Sequence, residues 1–250
     1  MRLMLQLHTD LHGETLPIDY RRSMLSLFKR ALTAYADGKY FEEFYQGNHT
    51  KAFSFAVGLP KGVRFSRDVI VLPKPESRLT LTVSTADPRT AAILSNALLT
   101  MKGKTHPVKD NILHIKNVVM IPEKPVSQTG HVLLIYMLAP LCVREHTERK
   151  DRYITIEDDD FAQQFTRVVA YQLKDRTEFT EEEKQSVQLI PYEMKKTVIR
   201  HYGQKIACSL GTAVLTASPQ VLNYLYQSGI GSRRSAGFGL FDILTISEGG

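Results

Sequence analysis

Two stretches of the chain follow the same pattern. Residues 81–94 read LTVSTADPRTAAIL, and residues 212–225 read TAVLTASPQVLNYL. Each begins as a strand in which Thr alternates with aliphatic residues, passes through Ala-Asp-Pro or Ala-Ser-Pro, and continues as a short amphipathic helix. Asp or Ser at the N-cap, followed by Pro in the first turn, is a typical helix start. The chain therefore contains an internal duplication, which restricts its fold to two similar units.

The flanking segments extend the duplication over the whole chain. Each half begins with a predicted strand and continues with a helix, two strands, a second helix and a last strand. The first helices are predicted between Asp19, as the cap, and Gly38, and over residues 158–174. This element order is the split βαβ unit of ferredoxin-like folds. We therefore expect an α+β fold of two tandem ferredoxin-like (RRM-like) domains, residues 1–125 and 126–250, with antiparallel sheets and helices on one face.

Charge is unevenly distributed along the chain, whose net charge is +6 at pH 7. Residues 1–125 carry 18 Lys and Arg against 11 Asp and Glu, residues 126–184 carry 8 against 12, and residues 185–250 carry 6 against 3. Two basic ends around an acidic middle suit a groove for a polyanion between basic faces. The alternative is a merely basic protein, which explains the total charge equally well.

The sequence also indicates a compartment. No apolar run is long enough to span a bilayer. The first residues, MRLMLQLHTD, lack the apolar core and the cleavage site of a signal peptide. Cys142 and Cys208 lie in apolar surroundings far apart in the sequence, which favours buried free thiols in a reducing compartment. We therefore expect a cytoplasmic protein without a membrane partner.

Four glycines are concentrated in the stretch SGIGSRRSAGFGLFDIL, residues 228–244: Gly229, Gly231, Gly237 and Gly239. Such a density indicates a loop that needs unusual backbone dihedrals or a close approach of the backbone. The stretch lacks the Gly-Lys-Ser/Thr of a P-loop, and Arg234 stands where a dinucleotide-binding loop has its third glycine. Backbone N–H groups together with Arg233 and Arg234 can contact phosphates. The alternative is tight packing of the glycines beside solvated arginines.

Two tandem ferredoxin-like units that end in a Gly-hydrophobic-Gly, five residues, Gly-hydrophobic-Gly loop resemble the CRISPR repeat-RNA processing endoribonucleases of the RAMP superfamily. The resemblance covers essentially the whole chain in architecture, and the loop spacing is its specific part. It implies a ribonuclease that needs no metal and no cofactor and cuts precursor CRISPR RNA within each repeat. The ribose 2′-hydroxyl attacks the adjacent phosphate, which leaves a 2′,3′-cyclic phosphate and a 5′-hydroxyl. It also implies that the loop, with Ser232 and the two arginines, borders the RNA.

The resemblance points to one histidine as the catalytic group. In the family a catalytic His lies between the first helix and the second strand, and His49 has that position here. An imidazole titrates near neutrality and can transfer protons. Lys51 follows two residues later at the start of a strand, so both side chains can converge on one phosphate. Tyr40 and Tyr45 precede them and could orient the ribose or donate to the phosphate. The alternative is a surface loop whose His and Lys happen to precede a strand.

A hairpin is predicted from two long strands, residues 186–200 and 203–216. Its basic side chains include Lys195, Lys196 and Arg200. They suit phosphate contacts along an RNA stem, which proteins read mainly by shape and 2′-hydroxyls; a solvated hairpin is the alternative. We expect His201, between the two strands, at the surface, and the charged run EFTEEEK, residues 178–184, as a solvated loop.

Three functions stay open. The first is the endoribonuclease, with CRISPR repeat RNA as its partner and a monomer or homodimer as its assembly. The second is a non-catalytic RNA-binding RAMP subunit that assembles with other subunits of a CRISPR interference complex. The third is an unrelated duplicated ferredoxin-like protein without affinity for RNA, and the glycine loop with its arginines argues against it.

Overall fold

The computed structural model describes residues 1–9, 14–45, 51–74, 77–126, 130–147 and 150–247. The chain divides into two units. The first unit comprises Met1–Pro122 together with the short segment Arg200–Gln204, and the second comprises Glu123–Ile199 and Lys205–Gly250. The first unit is therefore discontinuous in sequence.

The elements follow in chain order. The strands are β1 (Arg2–Thr9), β2 (Thr15–Pro17), β3 (Ser54–Gly58), β4 (Arg64–Phe65), β5 (Val69–Val71), β6 (Arg78–Ser84), β7 (Thr105–Val108), β8 (Asn111–Ile121), β9 (Val132–Met137), β10 (Val143–Thr147), β11 (Lys150–Ile154), β12 (Gln188–His201), β13 (Gln204–Thr216) and β14 (Phe241–Ser247). The helices are α1 (Tyr20–Ala34), α2 (Phe41–Tyr45), α3 (Pro88–Leu99), α4 (Phe161–Leu173), α5 (Glu181–Gln185) and α6 (Pro219–Ser228). No helix in the described part of the chain is both long enough and apolar enough to cross a membrane.

The sheet of the first unit has the strand order β3-β6-β1-β8-β7, and each neighbouring pair is antiparallel. Four of its strands, β1, β3, β6 and β8, have the order of a split βαβ unit, and β7 extends the sheet beside β8. Met24, Phe28 and Leu32 of α1 share one core with Leu94 and Leu98 of α3. Spacings of four residues place these side chains on one face of each helix.

The second unit repeats this arrangement. Its sheet has the order β12-β13-β9-β14, which corresponds strand for strand to β3-β6-β1-β8. Phe165 and Val169 of α4 share one core with Leu222 and Leu225 of α6. The hairpin of β10 and β11 is inserted before α4, and α5 is inserted before β12. The predicted α+β fold of two tandem ferredoxin-like units is confirmed.

The two duplicated stretches occupy equivalent places. One forms the end of β6 and the start of α3, and the other forms the end of β13 and the start of α6. The Asp87 carboxylate caps α3, as predicted, by accepting a hydrogen bond from the Thr90 backbone N–H at 2.7 Å. Pro88 and Pro219 begin the two helices, where a missing N–H costs no helical hydrogen bond.

Two local predictions are wrong. The run at 178–184 contains the start of α5, because Thr180 and Glu183 form a reciprocal capping box with hydrogen bonds of 2.9 and 3.2 Å. Asp19 precedes α1, but its side chain makes no capping hydrogen bond. Its carboxylate instead accepts a hydrogen bond from the backbone N–H of Tyr202 at the tip of the β12–β13 hairpin.

The buried thiols are confirmed. Cys142 and Cys208 form no disulfide and are fully buried, and they share a small apolar cluster with Ile206 and Phe238. Phe238 lies between two glycines of the loop, so this cluster ties the loop to the β13 side of the second unit.

Candidate active site

The predicted catalytic histidine lies outside the described residues. His49 falls in residues 46–50, between the end of α2 at Tyr45 and the point where the description resumes at Lys51. The two flanking residues are themselves predicted site residues. Their surroundings therefore define the described part of the site.

Tyr45 and Lys51 are in contact. The Lys51 Nζ lies 4.9 Å from the centroid of the Tyr45 ring, and the Lys29 Nζ of α1 lies 5.1 Å from the same centroid. Phe41, one turn earlier in α2, stacks on Tyr45 with a centroid distance of 5.3 Å. Two ammonium groups thus share one aromatic ring, an arrangement that the ring quadrupole stabilises and that their mutual repulsion opposes.

These surroundings shift two pKa values in opposite directions. Burial, followed by the nearby Tyr202, raises the pKa of the Tyr45 phenol far above its ordinary value. The phenol is therefore neutral at any physiological pH and can act as a donor. Its oxygen is buried without a hydrogen-bond partner among the described residues. Burial, followed by the charge of Lys29, lowers the pKa of the Lys51 ammonium.

Tyr40 belongs to a different aromatic pair. Its ring stacks on Tyr35 with a centroid distance of 5.8 Å and carries the Lys39 Nζ at 5.6 Å. It is half-buried against the core of the first unit. The structure thus brings Tyr45 and Lys51 together and gives Tyr40 separate partners.

The hairpin tip contributes residues that the sequence prediction missed. His201 is only 4% exposed, so the expectation of a surface histidine is wrong. Its Nδ1 lies 3.3 Å from Asp19 Oδ1, and the other carboxylate oxygen of Asp19 accepts the Tyr202 N–H at 2.8 Å. The sequence offers no local signal for this contact, because Asp19 and Tyr202 are 183 residues apart.

The glycine loop has the backbone that its composition predicts. Gly229, Gly231, Gly237 and Gly239 have φ values of 74°, 83°, 88° and 71°, a region that other residues rarely adopt. Neighbouring backbone atoms also leave no room for a side chain at two of these glycines. A Cβ atom at Gly239 would lie 1.9 Å from the Ile230 carbonyl oxygen, and one at Gly231 would lie 2.7 Å from the Cys142 carbonyl oxygen.

Gln172 of α4 fixes the first part of the loop. Its side-chain amide donates to the Gly229 carbonyl at 2.9 Å, and its oxygen accepts the Gly231 N–H at 3.1 Å. The Ser232 N–H donates to the Cys142 carbonyl at 2.8 Å. The N–H groups of Gly231 and Ser232 are therefore engaged within the second unit.

The two arginines of the loop also have partners in the second unit. Arg233 donates to the Tyr153 hydroxyl and lies 3.4 Å from Asp151. Arg234 donates to the Ser228 carbonyl at 3.2 Å, and burial lowers the pKa of its guanidinium. Both side chains hold the loop, and RNA contact at the loop residues stays a prediction.

The basic side chains of the β12–β13 hairpin differ in their surroundings. Lys195 is exposed, and Lys196 is paired with Glu157 at 2.9 Å. Arg200 belongs to the first unit and pairs with Asp68 there. An exposed ion pair of this kind contributes little free energy, so Lys196 can exchange Glu157 for a phosphate.

The sequence was compared with protein-family models and curated proteins, and the fold with solved structures. Residues 121–243 match the model of a family described as CRISPR associated protein Cas6, C-terminal. A structure from a Cas6-related gene of Pyrococcus furiosus superposes with a TM-score of 0.81 at 15% identity, over 98% of both chains. A RAMP protein described as binding different RNA substrates gives 0.81 at 15% identity, over 98% of this chain and 100% of its own. A Cas6 product complex gives 0.70 at 15% identity, over 98% and 100%. No curated protein matches this sequence. At these identities the structural likeness shows the fold alone.

Proposed function

Because residues 121–243 match the C-terminal family model of the CRISPR-associated protein Cas6, we propose that the chain is a Cas6-type protein that binds precursor CRISPR RNA and cuts it within the repeats. The reaction is a metal-independent transfer within the RNA. The 2′-oxygen upstream of the cut forms a bond to phosphorus while the bond from phosphorus to the 5′-oxygen breaks. The products are a 2′,3′-cyclic phosphate and a 5′-hydroxyl.

One observation carries the catalytic part of the proposal: the half-buried Lys51 ammonium is held over the Tyr45 ring. His49 precedes Lys51 by two residues, and two residues of chain span at most about 7 Å. An imidazole at position 49 can therefore serve the same phosphate as the Lys51 ammonium. His49 transfers the proton of the 2′-hydroxyl or of the leaving 5′-oxygen. Lys51 stabilises the charge that develops on the phosphate oxygens.

The two tyrosines take donor roles in this proposal. Because the pKa of Tyr45 is raised, its phenol keeps its proton and cannot act as the base. It donates a hydrogen bond to the phosphate or the ribose, and it supports Lys51 through its ring. Tyr40 lies beside Lys39 and Tyr35, and it orients the ribose or donates to the phosphate.

The remaining predicted residues hold the RNA in this proposal. Lys195, Lys196 and Arg200 pair with phosphates, since each carries a charge that is exposed or is paired only at the surface. The glycine loop, with Ser232 and the two arginines, forms a fixed border of the RNA path. Assembly with other CRISPR interference subunits and a cytoplasmic location are further parts of the proposal.

The decisive experiment is incubation of the protein with the repeat RNA of its own CRISPR array in the presence of EDTA, followed by analysis of the end groups. We expect a cut within the repeat that leaves a 2′,3′-cyclic phosphate and a 5′-hydroxyl. A repeat with 2′-deoxyribose upstream of the cut should bind and stay intact. Cleavage of that deoxy substrate would refute the mechanism, and binding without any cleavage would favour the non-catalytic RNA-binding subunit.

Variants assign the roles. His49→Ala should lower the cleavage rate by about 10²- to 10⁴-fold, and Lys51→Met by about 10²-fold, with RNA binding largely kept. Lys174→Met is the matched control, because Lys174 also lies over a tyrosine ring, that of Tyr171 at 4.3 Å, but in the second unit. Full activity of His49→Ala would refute the proposed site.

A further inference from the structure

We propose that Tyr202, at the tip of the β12–β13 hairpin, is a stacking platform for an unpaired base of the RNA beside the Tyr45–Lys51 site. This inference rests on the proposed function and adds to it a residue that determines which nucleotide is held next to the cut. Tyr202 and the residues that surround it belong to the first unit.

The backbone at the tip is the first argument. β12 ends at His201 and β13 begins at Gln204, so Tyr202 and Gly203 form a two-residue turn. Their φ values are 49° and 76°. A turn with positive φ at both central residues is a type I′ turn, which prefers Asn-Gly. A bulky aromatic residue at such a φ is an outlier, and outliers of this kind are concentrated at functional sites.

The attachment of the tip does not need this side chain. The Asp19 carboxylate accepts the backbone N–H of Tyr202, a group that any residue except proline would offer. His201, the neighbouring residue, supplies the contact with the other carboxylate oxygen of Asp19. The closure of the hairpin therefore does not explain why an aromatic side chain occupies this strained backbone position.

The ring is oriented and still accessible. The Arg22 guanidinium of α1 lies 4.7 Å from the Tyr202 ring centroid, and the His201 ring meets it edge-on with a centroid distance of 4.7 Å. These contacts restrict the rotation of the side chain. Nevertheless, 55% of Tyr202 is exposed. A fixed and exposed ring is the form in which proteins present an aromatic side chain to an unstacked base.

The surroundings indicate a nucleic acid as the ligand. Arg22, under the Tyr202 ring, and Lys29, under the Tyr45 ring, are seven residues apart on α1, so they lie on one face about 10 Å apart. Lys51 completes this row of cations. In proteins that bind single-stranded nucleic acids, aromatic rings stack on the bases and neighbouring cations pair with the phosphates. Arg22 also lies 4.0 Å from the Asp19 carboxylate, so Lys29 and Lys51 carry the charge that an apolar partner would leave without compensation among the described residues.

The row also connects Tyr202 with the proposed chemistry. Tyr202 lies near enough to Tyr45 to contribute to the raised pKa of the Tyr45 phenol. Arg22 and Lys29, which lie over the Tyr202 and Tyr45 rings, are about 10 Å apart along α1, so a base on the Tyr202 ring would belong to a nucleotide close to the phosphate held by Lys51. The platform would position the cut and would not take part in proton transfer.

The test compares Tyr202→Asn and Tyr202→Phe with the wild type. Asn suits a type I′ turn better than Tyr, so Tyr202→Asn keeps the hairpin and removes the ring. Tyr202→Phe keeps the ring and removes the hydroxyl. The probe is the repeat RNA with 2′-deoxyribose upstream of the cut, in which 2-aminopurine replaces one base at a time to report stacking by its fluorescence. Thermal denaturation checks the fold of each variant.

We expect Tyr202→Asn to melt at or above the wild-type temperature and to bind the probe about tenfold more weakly. The fluorescence change at one position of the repeat should disappear in this variant and persist in Tyr202→Phe. Binding and fluorescence of Tyr202→Asn equal to those of the wild type would overturn the inference while the proposed function stands. Absence of repeat binding by the wild type would overturn the proposed function and the inference with it.

Discussion

At the scale of single residues, Tyr45 and Lys51 respond in opposite directions to the same surroundings. Burial makes the phenol a weaker acid and the ammonium a stronger one. Lys51 therefore loses its positive charge, which the proposed mechanism needs at the phosphate, at a lower pH than an ordinary lysine does.

The first prediction concerns the pH dependence of cleavage. The charge of Lys29 contributes to the lowered pKa of Lys51 because the two positive charges repel each other. Lys29→Gln should raise the pKa of Lys51, so the alkaline limb of the rate profile should move to higher pH. Single-turnover cleavage measured across the pH range checks this shift. Lys174→Gln, which removes a lysine over a tyrosine in the second unit, should leave the profile unchanged.

The second prediction concerns Arg234, which donates to the Ser228 carbonyl and is half-buried. Arg234→Met should leave that carbonyl unsatisfied and lower the free energy of unfolding by about 1–3 kcal/mol. Arg89→Met removes an exposed pair with Glu43, and we expect it to cost at most about 1 kcal/mol. Chemical denaturation measures both values. Equal stability of the two variants would contradict the internal role of Arg234.

At the scale of elements, the glycine loop allows strain and steric conflict to be measured separately. Gly239 and Gly103 have nearly the same φ, 71° and 76°. A Cβ at Gly239 would meet the Ile230 carbonyl oxygen at 1.9 Å, whereas a Cβ at Gly103 would meet nothing within 4 Å. Gly103→Ala should therefore cost about 1–2 kcal/mol, and Gly239→Ala about 4 kcal/mol or more. Thermal and chemical denaturation check the difference, and similar costs would show that φ alone demands these glycines.

Elements were predictable where the signal is local. The strand and helix of each duplicated stretch follow from alternation, helical periodicity and the capping residues Asp87 and Pro88. The start of α5 carries an equally local signal, the capping box of Thr180 and Glu183, which the density of acidic residues concealed.

The site was less predictable because its contacts are distant in sequence. The position of Tyr45 before Lys51 suggested that the two residues act together, and the Lys51 ammonium does lie over the Tyr45 ring. The pairing of Asp19 with the hairpin tip depends on the tertiary fold alone. Burial of His201 follows from that pairing, and a histidine between two strands of a hairpin gives no sign of it.

At the scale of the whole molecule, the charge distribution predicts the response of binding to salt. Each phosphate contact by a lysine contributes about 0.7 for a single strand, or about 0.9 for a duplex, to the slope of log affinity against log salt. Replacing Lys195 and Lys196 together by Gln should therefore reduce that slope by about 1.4 to 1.8. Titrations of repeat RNA between low and moderate salt measure it. The control replaces two exposed lysines of the acidic segment, Lys150 and Lys174, and should leave the slope unchanged.

The discontinuity of the first unit has a consequence for inheritance. A crossover that exchanged only Met1–Pro122 between relatives would separate Asp19 from the tip residues that it contacts, His201 and Tyr202. A chimera would keep this contact only if Arg200–Gln204 came from the same parent as Met1–Pro122. We therefore expect viable recombinants to retain the parental combination at these three positions, even though Asp19 and Tyr202 are 183 residues apart in the sequence.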